Sequence, residues 1–306
     1  MTVQISRPLV SFATLTPLLV ATSSIPWGLD RIDQRGLPLD GRFERPGTGA
    51  GVHAYVIDTG VRKTHRDFGG RVDWIGDFVG GDPARSDAND CDPAGSGGHG
   101  THVASILGGE TFGVAPAVRL HALRILPCSG TTRTDLAATV RAVDWITTNG
   151  QRPAVVNISP ARWDTREHDL DDAIRRSIAA GFVYVLSAGG GGDLRTYTPQ
   201  RVAEAIIVAS TTPEDRAMSA GYGPTLTMFA PGVGIEAAGN ASDSATFVAD
   251  GDSYAAPFAA GAAVLYLERH PKATHSEVKQ ALIADATRDA VVNAGASPNL
   301  LLHIGR

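Results

Sequence analysis

Residues 51–60 read GVHAYVIDTG, five apolar positions in near-continuous order that stop at an acid, followed by Thr59 and a glycine. A run of this length that does not alternate with polar residues is buried on both faces, which is the condition of an interior strand in a parallel sheet. Asp58 then stands at the strand's carboxyl end, the edge where ligands of open parallel sheets collect. The same kind of run recurs at Val118–Leu126, Ala154–Ile158, Phe182–Ser187 and Ala205–Ala209. Between the runs, apolar residues recur at three and four positions over Thr134–Thr147, His168–Ala180, Ser253–Arg269 and His275–Ala286, which predicts helices. Ser276 with Lys279 makes no capping box, but Thr274 can cap the last helix. Strands alternating with helices predict an α/β fold, a mostly parallel sheet covered on both faces.

Composition agrees. The 306 residues are 43% hydrophobic and 19% charged, enough for one large core. The net charge of −5 and the scattered Lys and Arg residues leave no basic stripe, which argues against a nucleic-acid partner. No run of eighteen apolar residues predicts a membrane span. No repeat or second domain is visible. Residues 1–26 form a leader, in which Leu9–Ser23 is either a poor secretory signal, broken by Thr14, Thr16 and Pro17, or a propeptide remnant or other structured or flexible segment. Residues 27–306 form the remaining domain. The two cysteines, Cys91 and Cys128, allow one disulfide at most, or two thiols. The segment from Asp77 to His99 is polar, rich in Gly, Pro, Ser and Asp, and too long for a simple connection.

Three residues in separate motifs form a chemical set. His99 stands in GGHGTHVASILGG, where glycines permit close approach and the following residues open a helix. Ser253 stands in GDSYAAP at the start of a long small-residue helix, beside unpaired backbone N–H groups that favour an anion. Each feature alone is ordinary: an Asp ending a strand or a Ser opening a helix is most often structural. Together with Asp58 they supply a nucleophile, a base and a carboxylate to orient the base, in the chain order Asp, His, Ser.

These residues carry a resemblance. WGLDRIDQRGLPLD (27–40), AYVIDTGV (54–61), HGTHVASILGG (99–109), RPAVVNIS (152–159), AAGFVYVLSAG (179–189), RVAEAIIVAST (201–211), FAPG (229–232) and SYAAPFAAGAAVLYLE (253–268) resemble the subtilisin-like serine proteases of the proteinase K and aqualysin branch. The resemblance runs from Trp27 to the C-terminus and implies a three-layer subtilisin-like fold. It implies Asp58 as orienting carboxylate, His99 as general base and acid, and Ser253 as acylated nucleophile. The substrate it implies is a peptide or protein, laid as an added strand against Ser129, Gly130 and Thr131 and against Ser159, Pro160 and Ala161, with Ala188 and Gly189 lining the site. A secreted monomer that needs no cofactor for catalysis is the corresponding expectation. The resemblance also implies structural Ca²⁺, one ion at Asp215 with the carbonyls of Ala203 and Ala205, another at Asp30, Asp33, Gln34 and Asp40, and a Cys91–Cys128 disulfide. Relatives carry a folding prodomain before the tryptophan that matches Trp27, whereas 26 residues precede it here.

The pattern also breaks. Where the family reads SAGN this chain reads SAGG, so Gly190 stands where an asparagine donates to the oxyanion. Asp252 replaces the usual threonine before Ser253. Ionised, it opposes developing negative charge; protonated, it is a donor and implies activity at acidic pH. NISPAR (157–162) replaces a glycine-rich substrate strand. Three readings stay open on these grounds: a serine hydrolase of narrow scope, a dedicated acyl-transfer or cyclising enzyme, and a peptide-binding protein that has lost catalysis.

Overall fold

The structure is a computed structural model that describes residues 25–79, 87–92, 97–128, 135–159, 163, 166, 168–219 and 221–305. Of the expected site residues, Ser129, Gly130, Thr131, Pro160 and Ala161 lie outside the described residues, as does the leader up to residue 24.

In chain order the described elements are α1 (Trp27–Ile32), β1 (His53–Asp58), β2 (Val72–Asp77), α2 (His99–Gly108), β3 (Arg119–Arg124), α3 (Leu136–Asn149), β4 (Ala154–Ile158), α4 (Asp169–Ala179) and β5 (Val183–Ser187). There follow β6 (Gly192–Asp193), β7 (Ile206–Thr211), β8 (Gly221–Tyr222), β9 (Met228–Pro231), β10 (Ile235–Ala238), β11 (Thr246–Ala249), α5 (Asp252–Arg269), α6 (His275–Asp285), β12 (Thr287–Arg288) and β13 (Leu300–Leu301). Nine strands form one sheet in the order β12-β13-β9-β7-β5-β4-β1-β3-β2, parallel except for the terminal β12–β13 pair. β10 and β11 make a separate antiparallel hairpin.

Side chains of the central strands alternate between two buried layers. Ala54 and Val56 of β1, Val183 and Val185 of β5, and Ile206 and Val208 of β7 pack with α2, α5 and α6. Tyr55, Ile57, Tyr184, Leu186, Ile207 and Ala209 pack with α3 and α4. Both sides of each strand are therefore apolar, and this is why the sequence runs are continuous. The result is the expected three-layer α/β arrangement.

The five expected strands and four expected helices are all present, with ends shifted by a residue or two. Strands that escaped the sequence include the edge strand β2, whose VDWIGD is half-buried and mixed in character, and the interior strand β9, whose MFAP is short and ends in proline. One capping expectation is corrected. Thr274 does cap α6, and a capping box is present, because the residue three positions on from the cap is Glu277, whose carboxylate accepts from Thr274 N at 2.7 Å.

Sheet order decides where the site falls. β1 lies between β3 and β4: the chain leaves β1 toward β2 on one side, whereas β3 connects across to β4 on the other, and the crevice this reversal opens holds Asp58.

Candidate active site

Asp58 is fully buried at the end of β1, and its Oδ1 accepts from Thr59 N and from His99 Nδ1, both at 2.7 Å. His99 is the first residue of α2, directly after Gly98, and its side chain keeps 17% of its surface exposed. Close approach of the helix end to β1 depends on Gly100: a Cβ there would come within 2.2 Å of the Gly60 carbonyl oxygen. Burial disfavours the imidazolium, but the Asp58 charge and hydrogen bond, aided by Asp90 and Asp92, outweigh it, and the His99 pKa lies above 6.5.

The polar segment before His99 has a structural task. Asp90, itself buried, accepts from Thr59 Oγ1 at 2.9 Å and from Thr101 N and Oγ1 at 2.9 and 2.5 Å, which ties the end of β1 to the first turn of α2. Burial, opposed by these bonds, leaves its carboxyl above the usual range. The Cys91–Cys128 disulfide is present, with Cα atoms 5.2 Å apart. Arg124 adds hydrogen bonds to Asn89 O at 3.0 Å and Asp77 Oδ2 at 2.7 Å. Closing 37 residues by one bridge contributes about 4 kcal/mol through the unfolded chain.

Ser253 is the second residue of α5. Its hydroxyl donates to Ser159 O at 3.2 Å, and Ser159 Oγ donates back to Ser253 O at 2.9 Å. Ser159 is held in turn by Asn157 Nδ2 at 2.9 Å, and its carbonyl also accepts from Ser187 Oγ at 2.6 Å. The Ser253 hydroxyl thus rests on the end of β4. Tyr254 packs against His99 with ring centroids 5.3 Å apart.

Asp252 is turned to the end of β7: its Oδ1 accepts from Ser210 N and Ser210 Oγ at 2.8 and 2.7 Å, and its Oδ2 pairs with Ser219 Oγ at 2.7 Å. Three donors thus converge on the Asp252 carboxyl at the α5 N-terminus. Ala188 is buried beneath the site, and Gly189 takes the left-handed φ of 69° that its turn requires. Gly190 has ordinary backbone geometry, and a Cβ built on it meets nothing within 4 Å.

The expected metal ligands are redistributed. The carboxylate of Asp215 is spent on Arg31, bound bidentately at 2.7 and 2.8 Å, while the carbonyls of Ala203 and Ala205 accept from Lys279 Nζ at 2.7 and 2.8 Å. In this structure a guanidinium meets the Asp215 carboxylate and an ammonium meets the carbonyls of Ala203 and Ala205. The N-terminal set differs. Asp30 Oδ2 accepts from Gly41 N at 2.9 Å, but its buried Oδ1 has no hydrogen-bond partner. Burial, with the neighbouring Asp40 charge adding to it, raises the Asp30 pKa. Asp33 Oδ2 accepts from Glu44 N at 2.7 Å, and Gln34 Oε1 accepts from Asp40 N at 3.1 Å. Among the described residues no three His, Cys, Asp or Glu side chains converge as a metal cluster.

Sequence reasoning missed Ser159 as the partner of Ser253, Asp90 as the brace of His99, Ser210 and Ser219 as partners of Asp252, and Lys279 as a cation among carbonyls. Only Asp90 carried a signal, its place in the long polar segment. Among the described residues no helix is long and apolar enough to cross a membrane.

Comparison with known proteins agrees with the geometry. The subtilase family model matches residues 49–304. The chain is 46% identical over 284 residues to an extracellular serine proteinase of Thermus sp. (strain Rt41A), covering 92% of this chain and 66% of that protein. It is 39% identical over 279 residues to alkaline serine exoprotease A of Vibrio alginolyticus, covering 90% of this chain and 50% of that protein. The chain thus spans about half to two thirds of the length of these relatives. The crystal structure of a cold-adapted subtilisin-like serine proteinase superposes with a TM-score of 0.83 at 37% identity, over 92% of this chain and 99% of that one. A buried Asp–His pair at the carboxyl edge of a parallel sheet, a serine opening the helix beside it and a family match over most of the chain lead to one conclusion: the chain belongs to the subtilase family.

Proposed function

We propose that the chain is a serine endopeptidase acting on peptides or proteins through an acyl-enzyme on Ser253, with a weakened oxyanion site and narrow scope. The observation that carries this reading is the 2.7 Å Asp58–His99 pair beside a helix-borne Ser253. An extended peptide pairing with the end of β4 donates an N–H to Ser159 O, the atom that now holds the Ser253 hydroxyl. Displaced, the hydroxyl turns to His99. Its oxygen then attacks the scissile carbonyl carbon while its proton passes to Nε2, and Asp58 stabilises the imidazolium formed. His99 returns the proton to the departing amine nitrogen as the C–N bond breaks, and water repeats the sequence on the ester.

The oxyanion is served by the Ser253 N–H at the α5 N-terminus, but Gly190 contributes no side-chain donor. That deficit favours one second reading, acyl transfer to a dedicated acceptor, since a slow hole tolerates only well-positioned partners. Secretion is supported by the disulfide and by the extracellular relative. A structural Ca²⁺ would be held at Asp30 and Asp40, where a buried anionic oxygen lacks a donor, and EDTA should then lower Tm. Labelling of Ser253 by a fluorophosphonate, with release of peptide fragments, tests the activity; absence of label on folded protein would overturn it.

A further inference from the structure

Beside Ser253 lies a cavity of about 380 Å³ whose walls include Gly190, Met218, Val233, Asp250 and Asp252. Ser159, which holds the Ser253 hydroxyl and pairs with the acyl half of a peptide in the reading above, is not part of that wall. Its lining includes Ser210 near the end of β7, two strands away from β4, so the cavity lies away from the carbonyl that pairs with the acyl half and toward the half of the peptide that leaves.

Its chemistry is two-sided. Met218, which is 55% exposed, and Val233 offer apolar surface. Asp250 offers a carboxylate: it is exposed, accepts one bond from Gly234 N at 2.6 Å and has no ion-pair partner among the described residues. Its field reaches the catalytic helix, because after burial the charges of Asp58, Asp92, Asp250 and Asp90 push the Tyr254 phenol up. Asp252 adds a second carboxylate to the wall. Gly190 leaves the space between wall and nucleophile open, since nothing lies within 4 Å of where its Cβ would stand.

An apolar stem ending in a cation matches this lining: the methylenes cover Met218 and Val233 while the charged head meets the acids. An acidic residue in the same place meets two like charges. We propose that the cavity selects a lysine or arginine immediately after the scissile bond, with Asp250 as the specificity-determining side chain. The proposal rests on the serine endopeptidase reading and names the substrate class of that site.

The test is a set of internally quenched peptides identical except for Lys, Arg, Ala, Leu or Glu after one fixed scissile bond. On the full chain, Lys and Arg substrates should exceed the Glu substrate in kcat/KM by about 10-fold or more at low salt, with the ratio shrinking as salt is added. In Asp250→Asn, which keeps an acceptor for Gly234 N, the Lys-to-Glu ratio should fall by about 3-fold or more, and in Asp250→Lys it should invert. Ser253 labelled by fluorophosphonate together with equal rates for all five peptides, or a ratio indifferent to Asp250, overturns this inference alone. Failure of labelling overturns the endopeptidase reading on which it stands.

Discussion

The ammonium of Lys279 donates to the carbonyl of Ala205 at 2.8 Å, and the carbonyls of Ala203 and Glu204 accept from the same nitrogen at 2.7 and 3.4 Å. Three backbone oxygens thus converge on a cation that belongs to the chain itself. Lys279→Met should strip that cation from its carbonyls and cost about 1–3 kcal/mol, read as a fall in Tm. Added Ca²⁺ should recover more of the loss in this variant than it adds to wild type. Burial, opposed by Glu204, depresses the Lys279 pKa to about 8 from 10.5, so the folded state disfavours its proton. Between those values the unfolded chain binds more protons, and stability from this group should rise with pH across that window in wild type but not in Lys279→Met.

Arg31 and Asp215 form a second internal substitute for an ion. The Arg31 side chain is fully buried, and the pair spans 184 residues. Asp215→Asn should leave a buried guanidinium with only neutral partners, the new amide and the carbonyls of Gln34 and Arg35, and cost about 3–5 kcal/mol, measurable by urea unfolding. A loss under 1 kcal/mol would show that the loop rearranges to supply another acceptor.

The proposed mechanism needs neutral His99, and Asp58 raises its pKa against the effect of burial. The acid limb of the kcat/KM profile should therefore have its midpoint above 6.5, with activity lost as pH falls through it. Asp58→Asn should move the titration of His99 downward, followed by NMR in a Ser253→Ala background, and should lower kcat by about 10⁴-fold. The sign for stability is opposite: the His99 contribution is fully present below 6.5 and is lost as pH rises through the folded value.

Gly190→Asn should raise kcat on a simple peptide ester by about 10-fold or more, with KM nearly unchanged, because the donor acts on charge that exists only in the transition state. The site accepts the side chain, since no atom lies within 4 Å of the new Cβ. If Asp252 is ionised it opposes part of the gain, and Gly190→Asn with Asp252→Thr should then exceed the product of the single effects. An unchanged kcat in Gly190→Asn would mean that the hole is completed by another group.

Sequence alone announced the central strands and the positions proposed for catalysis, for one physical reason. A strand buried on both faces must be apolar throughout, so runs such as Ala154–Ile158 announce themselves locally, and Asp58, His99 and Ser253 mark the points where those runs or their helices begin and end. Chemistry at such ends depends on residue type and chain order, both of which a sequence carries. Partner choice does not follow this rule. Asp215, Ala203 and Ala205 offer the oxygens that a hard cation takes, yet which cation arrives was settled by tertiary packing, which put Arg31 of α1 against the acid and Lys279 of α6 against the carbonyls. Likewise, Ser253 and Ser159 are 94 positions apart, and only the adjacency of β4 to the start of α5 brings the hydroxyl to that carbonyl. Hydrogen bonds and ion pairs between distant segments are fixed by ångström-scale geometry, and residue spacing along the chain holds no record of that distance.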